Sequence, residues 1–419
     1  MNIIVIGSGG REHTVIKKLA KSPEITKIYA HPGNGGIAAD AECVNIGATD
    51  IDGIVEFAKA HEIGYAVVTP DDPLALGAVD ALNAIGIPCF GPTAAAAQIE
   101  ASKVFSKNLM KKYGIPTAAF EVFESAADAL EYVKTAPLPT VIKADGLALG
   151  KGVIIAETRE DAISAVKSIM EEGIFGKSGN RIVVEEFLTG PEVSVLVFTD
   201  GTTVKPMVSS MDHKRAHDND EGLNTGGMGT IAPNPYYTAD IAEECMKTIF
   251  VPTIEAMKAE GREFRGCLYF GLMLTPNGPK VIEYNCRFGD PETQVVLPLL
   301  ESDLFTVMKA TTNGTLAETE VKFSGGAACC VVLASMGYPE KYEKGYEITI
   351  PEGIDGEVYV AGAKLEGGKL LTNGGRVLGA VATADELKTA IEKAYAVADK
   401  IEFGNKYCRR DIGAKALNA

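Results

Sequence analysis

Glu283 and Asn285 stand two apart in an apolar run, Val281-Ile282-Glu283-Tyr284-Asn285, that reads as a β-strand. Alternation along a strand puts both side chains on one face, two oxygen ligands pointing the same way. Magnesium shared with a nucleotide takes one or two protein carboxylates and completes its shell with phosphate oxygens and water. Arg287, Gly289, Asp290 and Glu292 follow at once, adding a guanidinium and more acid. Read in isolation, the run is equally a solvated strand end. A second stretch, Lys143-Ala144-Asp145-Gly146-Leu147-Ala148-Leu149-Gly150-Lys151-Gly152, sets three glycines and two lysines between two apolar runs. Glycine lets a backbone fold closely over phosphate and lysine supplies charge. It is not a Walker loop, which has four residues between its glycines and a hydroxyl after the lysine. Here three residues separate Gly146 from Gly150, and Gly152 follows Lys151. A plain glycine-rich hairpin is the alternative.

Val183-Val184-Glu185-Glu186-Phe187-Leu188 runs into Gly190-Pro191-Glu192. An apolar strand ending in paired acids suits an adenine slot, with backbone groups on the base edge and Glu192 accepting from ribose hydroxyls; an ordinary strand end is the alternative. Asp212-His213-Lys214-Arg215, followed by Asn224-Thr225-Gly226-Gly227-Met228-Gly229, gathers cations and exposed amides suited to an anionic substrate. His213 alone carries little weight. Gly7-Ser8-Gly9-Gly10-Arg11-Glu12 follows a strand and opens a helix, where backbone N–H groups and the helix dipole can hold phosphate. The dinucleotide fingerprint requires glycine where this chain has Glu12, and an acid after the second strand where it has Ala30-His31-Pro32-Gly33. Both departures argue against a dehydrogenase.

The elements that position these residues fall into three groups. Strands at 3–6, 25–30, 65–69 and 88–90 alternate with helices, one capped by Asp50 or Asp52 with Ile51, Ile54, Val55 and Ala58 inward, another over 74–85. That alternation predicts a parallel sheet with helices on both faces, over residues 1–102. The middle, 103–314, reads as α+β: 140–144 pairs with 153–156, and 181–188 with 192–199 and 203–209. A helix spans about 238–258, and a hairpin joins 268–274 to 280–285 through Pro276-Asn277-Gly278. The polar, glycine-rich stretch 212–229 reads as a functional loop. After Asn313-Gly314-Thr315, strands at 327–333, 357–363 and 376–382 and a helix capped by Asp385 form a small α/β domain, 315–419.

The chain has 419 residues, 46% hydrophobic and 23% charged, an ordinary globular mix large enough for several packed units. A net charge of −16 gives no electrostatic footprint for nucleic acid, so any phosphate must be held locally. The eight cysteines form no C-x-x-C pair, which fits free thiols in a reducing compartment. Neither a signal peptide nor a membrane-spanning run is legible, and a cytoplasmic protein is expected.

A lysine-bearing glycine hairpin, an acidic strand end and a Glu-x-Asn strand, in that order, resemble the ATP-grasp superfamily, in which two α+β subdomains clasp ATP. Over its whole length the chain is similar to the phosphoribosylamine–glycine ligase family, also called glycinamide ribonucleotide synthetases. The resemblance rests on Gly7 to His13, Phe90-Gly91-Pro92-Thr93, Ile142 to Ala148, Asn224 to Gly229, Asn285 to Gln294, Thr372 to Leu378, and Cys408-Arg409-Arg410-Asp411-Ile412-Gly413. It implies a parallel α/β N-terminal domain, a central ATP-grasp fold with a mobile lid at about 118–190, and a small C-terminal α/β domain. It implies ATP, glycine and 5-phosphoribosylamine as substrates, Mg2+ or Mn2+ as metal, no nucleic-acid or membrane partner, a monomer, and reaction through glycyl phosphate in purine synthesis. Carried over, Lys103 and Lys143 fall on the ATP phosphates, Gly150, Lys151 and Gly152 on the closing loop, Glu185, Glu186, Phe187 and Leu188 on adenine, and Glu192 on ribose. Glu283 and Asn285 fall on the metal, and Arg287, with Lys143, on the reacting groups. Gly9, Gly10, Arg11, Asp212, Lys214, Arg215, Asn224, Gly226, Gly227, Arg287, Gly289 and Asp290 fall on glycine or phosphoribosylamine. The chain departs from the family at Leu223, where proline is expected, at Thr69-Pro70-Asp71-Asp72-Pro73, and at Gly271-Leu272-Met273-Leu274, which offers no further metal carboxylate.

Overall fold

The computed structural model describes residues 1–147 and 152–419. Strands β1 (Asn2–Gly7), β2 (Lys27–Pro32), β3 (Glu42–Cys43), β4 (Ile63–Val68) and β5 (Cys89–Phe90) form a parallel sheet in the order β3-β2-β1-β4-β5. Ile3 to Ile6 of β1 are wholly buried, as expected for a strand covered on both faces. Helices α1 (Gly10–Leu19) and α2 (Ile51–Ala60) flank it. Asp50 caps α2 by accepting from Gly53 N at 3.0 Å, and Ile54 and Ala58 are buried. The helix expected over 74–85 is two, α3 (Asp71–Ala75) and α4 (Ala78–Ala84). Gly77 separates them at φ +88°, a left-handed value that a continuing helix cannot hold. The strand order reverses between β1 and β4, so the crevice at their carboxyl ends is where such a sheet takes a ligand. The Gly7–Glu12 turn and Asp71 both lie there. Helices α5 (Ala94–Ala101) and α6 (Lys103–Tyr113) leave this unit, and Ser102 between them caps α6 through Phe105 N at 3.1 Å.

A second sheet, ordered β6-β9-β7-β8, is antiparallel: β6 (Phe120–Phe123), β7 (Thr140–Ala144), β8 (Val153–Ala156) and β9 (Ile182–Glu186). Helices α7 (Ala126–Val133) and α8 (Arg159–Val166) cover it and complete a core of its own. The expected hairpin between 181–188 and 192–199 does not form. β9 is central to this sheet, paired with β6 and β7. The chain then passes Gly190 at φ +143° and enters another sheet as β10 (Glu192–Thr199).

That sheet has the order β11-β10-β16-β17, with β11 (Val204–Pro206) at one edge. Two short pieces, β12 (Met211–Asp212) and β15 (Gly229–Ala232), bracket a small hairpin of β13 (Arg215–His217) and β14 (Glu221–Asn224), so stretch 212–229 is not a bare loop. The hairpin β16 (Gly266–Thr275) and β17 (Gly278–Asn285) contains a bulge. Gly271 faces Glu283 and Leu272 faces Val281, leaving Ile282 unpaired. One extra residue reverses the faces on either side of it. Val281 and Tyr284 therefore both enter the core, while Glu283 and Asn285 turn to the other side.

The last sheet is ordered β12-β15-β18-β22-β19, with β18 (Ala327–Ser335), β19 (Glu357–Val360) and β22 (Arg376–Ala384). It recruits β12 and β15 from the middle of the chain and so fixes both ends of 212–229. The strand expected over 357–363 stops at Val360, and β20 (Ala363–Glu366) turns instead into a hairpin with β21 (Lys369–Thr372). Asp385 does not cap the following helix, Leu387–Lys400, whose cap position is Glu386 without a side-chain bond. No helix among the described residues is long and apolar enough to cross a membrane.

Candidate active site

A cavity of about 940 Å3 lies where the four sheets converge. The end of β17 supplies Glu283, Asn285 and Arg287 to its wall. Glu100, at the end of α5, holds this strand end with both oxygens. Its Oε1 accepts from Asn285 Nδ2 at 2.7 Å and Arg287 Nη2 at 3.0 Å, and its Oε2 from Cys286 N at 2.7 Å. Burial works against the charge on Glu283, yet Lys214, Lys143, Lys103 and Arg287 hold its carboxyl below the ordinary value. Arg287 Nε is buried without a partner among the described residues.

Opposite stand three lysines. Lys143 Nζ lies 3.0 Å from Glu185 Oε1 and donates to Ile282 O, the carbonyl of the bulged residue, at 3.2 Å. Lys107 Nζ lies 2.9 Å from Glu185 Oε2 and 2.7 Å from Thr117 Oγ1. Burial pushes Lys107 down to about 8 against the pull of Glu185. Lys103 Nζ donates to Gly146 O at 2.9 Å, and burial lowers it too. Glu185 lines the cavity; its carboxylate is taken by two lysines, and its backbone is paired with β6 and β7. Phe187 and Leu188 follow the last paired residue and line the cavity, with Glu186 beside them. Asp145 ties β7 to α6: Oδ1 accepts from Ser102 Oγ at 2.9 Å and Val104 N at 3.1 Å, and Oδ2 from Arg181 at 2.5 Å. Gly152 lines the cavity, whereas Gly150 and Lys151 lie outside the described residues.

Lys214 stands between Glu192 at 3.4 Å and Glu283 at 3.8 Å, joining the expected ribose and metal corners. Asp212 faces Glu292; burial and that neighbouring carboxyl push Asp212 well above its ordinary value, and burial raises Glu292. Arg215 lines the cavity and donates to Gly222 O of its own hairpin at 2.8 Å. Asn224 and Gly226 line the cavity; Gly227 lies behind, at φ +112°, where a Cβ would sit 2.6 Å from Asp212 Oδ1. Arg376 of β22 donates to Gly226 O at 2.7 Å and Asp290 O at 2.8 Å, and Gly226 N donates to Tyr338 Oη at 3.1 Å. His213 is neutral and structural. Its Nδ1 donates to Gly229 O at 3.1 Å, its Nε2 accepts from Gly413 N at 3.1 Å, and burial, with Arg409 nearby, lowers it to about 4.

At the N-terminal crevice, Gly9 N is not free for phosphate. It donates to Glu12 Oε2 at 2.5 Å, while Glu12 Oε1 accepts from Arg11 Nε at 2.5 Å and Thr69 Oγ1 at 2.6 Å. A carboxylate thus occupies the helix start that a dinucleotide would need, which agrees with the reading of Glu12 in the sequence. Arg11 reaches the cavity and donates to Phe288 O at 3.2 Å. Gly9, Gly10 and Gly289 pack behind the wall, against Asp290, Gln294 and Glu292 respectively. Sequence reasoning missed Glu100, Lys107, Asp71, Asp145, Glu292 and Arg376. Asp71, Asp145, Glu292 and Arg376 lie inside the quoted runs, and Glu100 is the one carboxylate in the alanine-rich α5. Among the described residues, no three His, Cys, Asp or Glu side chains cluster to hold a metal.

Consecutive stretches match three family models: the Phosphoribosylglycinamide synthetase N domain over residues 1–100, its ATP-grasp (A) domain over 101–293 and its C domain over 328–415. Phosphoribosylamine–glycine ligase of Pasteurella multocida is 47% identical over 422 residues, covering 100% of this chain and 98% of that protein. That of Caldanaerobacter subterraneus is 46% identical, covering 99% and 100%. A crystal structure of phosphoribosylamine–glycine ligase from Thermotoga maritima is 38% identical with a TM-score of 0.87, covering 98% and 100%. A biotin carboxylase complex from Campylobacter jejuni shares the fold alone, at 15% identity and a TM-score of 0.77 over 97% of this chain and 92% of that one.

Proposed function

The chain belongs to the phosphoribosylglycinamide synthetase family and is an ATP-dependent ligase of purine biosynthesis joining glycine to phosphoribosylamine, and we propose that it does so through glycyl phosphate in this cavity. The observation that carries the reading is the single strand end that sets Glu283, Asn285 and Arg287 opposite Lys103, Lys107 and Lys143. A glycine carboxylate oxygen attacks the γ-phosphorus while the bond to ADP breaks. The phosphoribosylamine nitrogen then attacks the acyl carbon, the bond to phosphate breaks, and phosphate and a proton leave. Little covalent chemistry falls to the protein, whose groups position and neutralise.

Lys143 and Lys103 take the ATP phosphates, with Lys143 exchanging part of its hold on Glu185 for phosphate oxygen. Phe187 and Leu188 offer backbone to adenine, and Glu192 accepts from ribose. The planar guanidinium of Arg287 suits both a carboxylate and an acyl phosphate. Asp212, Lys214 and the 224–227 turn face glycine, while Arg11, Asp290 and Arg376 face phosphoribosylamine. A divalent cation, Mg2+ or Mn2+, fits between Glu283 and Asn285, where it would neutralise phosphate charge. The fit rests on a carboxylate kept ionised and on an amide whose nitrogen is already bound to Glu100. The sheet β6-β9-β7-β8 acts as the lid that excludes water. We place the enzyme in the cytoplasm as a monomer without nucleic-acid or membrane partners; its eight cysteines, all free, agree with a reducing compartment. Incubation with ATP, magnesium and freshly made phosphoribosylamine should release ADP with glycine and not with formate or bicarbonate. ADP release indifferent to glycine would sink the reading.

A further inference from the structure

Glu100 touches neither of the expected metal-binding oxygens, yet it fixes the residues that carry or adjoin them. One carboxylate accepts from three successive residues of the strand end, 285, 286 and 287. It is buried at 9% exposure and comes from the far end of α5, 185 residues away in sequence from Asn285. A carboxylate can only accept, so the end of the Asn285 amide that meets it must be the nitrogen. The amide oxygen is then the end turned away from Glu100, on a side chain that lines the cavity together with Glu283. Without this partner the amide could rotate and present two N–H groups to the phosphates and the metal, which would repel the cation. We propose that Glu100 is the positioning residue that orients the Asn285 amide, so that its oxygen faces the divalent cation and the ATP phosphates. The proposal rests on the metal assignment above, and it makes the last helix of the N-terminal unit a structural part of the metal corner.

The test uses the full-length enzyme and calorimetric titration of ATP with and without Mg2+, alongside the Mg2+ dependence of turnover. Loss of partners that orient metal ligands costs ~10- to 100-fold in metal affinity, so E100Q should lose about that much of the Mg2+-dependent gain in ATP affinity while its metal-free ATP affinity stays within ~2-fold. The swap E100Q/N285D reverses donor and acceptor across the same contact and should recover a large part of the loss. N285D alone, which sets two carboxylates together, should bind Mg-ATP more weakly than the swap. An undiminished Mg2+ effect in E100Q, or a swap no better than E100Q or N285D, overturns the proposal. Should E100Q not fold, E100D, shorter by one methylene and still charged, carries the same comparison: an unchanged Mg2+ gain overturns, a reduced one supports. If the parent protein shows no Mg2+-dependent gain, or N285A leaves it intact, the metal assignment fails and the proposal falls with it, an outcome told apart from a failure of Glu100 alone, in which N285A loses the gain and E100Q keeps it.

Discussion

Four cations around Glu283 hold its carboxyl below the ordinary value, which favours the ionised state a metal-binding carboxylate requires. Glu283→Ala should lower turnover by more than ~100-fold, beyond the cost of losing a supporting partner, with the fold intact by circular dichroism. Full activity in saturating magnesium would show the metal assignment to be wrong. His31 and His213 form the opposite case, two imidazoles kept neutral. His31 is wholly buried with neither ring nitrogen bonded among the described residues, and burial lowers it to about 4. The unfolded chain protonates both near the ordinary value of 6.5, whereas the folded chain resists until about 4. Stability is therefore full above pH 6.5 and declines as pH falls toward 4, by ~2 kcal/mol per histidine between pH 7 and 5. His31→Leu should flatten this slope in urea unfolding at the two pH values; an unaltered slope would exonerate His31.

At the scale of elements, the bulge at Ile282 does two jobs. It turns Glu283 and Asn285 into the cavity while Val281 stays in the core, and its unpaired carbonyl receives Lys143. Lys143 thus bridges β7 to β17 before any nucleotide arrives: its ion pair with Glu185 stays within the lid sheet, and its hydrogen bond to Ile282 O ties that sheet to β17. On the proposed reading, nucleotide adds contacts to the same lysine from the other side. Hydrogen exchange in Thr140–Ala144 and Val153–Ala156 should accordingly slow when ATP is added. Equal exchange with and without ATP would refute closure of the lid.

For the whole molecule, the C-terminal segment is a working part of the cleft. Arg376 grips the 226 turn, Gly413 holds His213, and the fully buried Arg409 binds Asp411 at 2.7 Å, Asp220 at 3.0 Å and Arg215 O at 3.0 Å. Arg409→Met would leave two carboxylates without their shared cation. It should cost on the order of 3 kcal/mol, read as a lower denaturant midpoint, with faster hydrogen exchange in the 215–224 hairpin. Exchange unchanged in that hairpin would mean that Arg409 supports only its own segment.

By itself the sequence determined the parallel first sheet, the non-Walker lysine hairpin, the Glu-x-Asn strand and the exclusion of a dinucleotide at Glu12. These are local properties: side-chain period, glycine spacing and the residue at a helix start act over a few positions. Only the tertiary structure decided that β9 joins the lid, that Ile282 bulges, that the Glu185 carboxylate is shared by two lysines, and that Glu100 and Arg376 reach the site. Glu100 and Arg376 meet their partners across 185 and 150 residues of chain. No local pattern encodes such a contact, because it is fixed by how separate sheets pack and by the need of each buried charge for a partner.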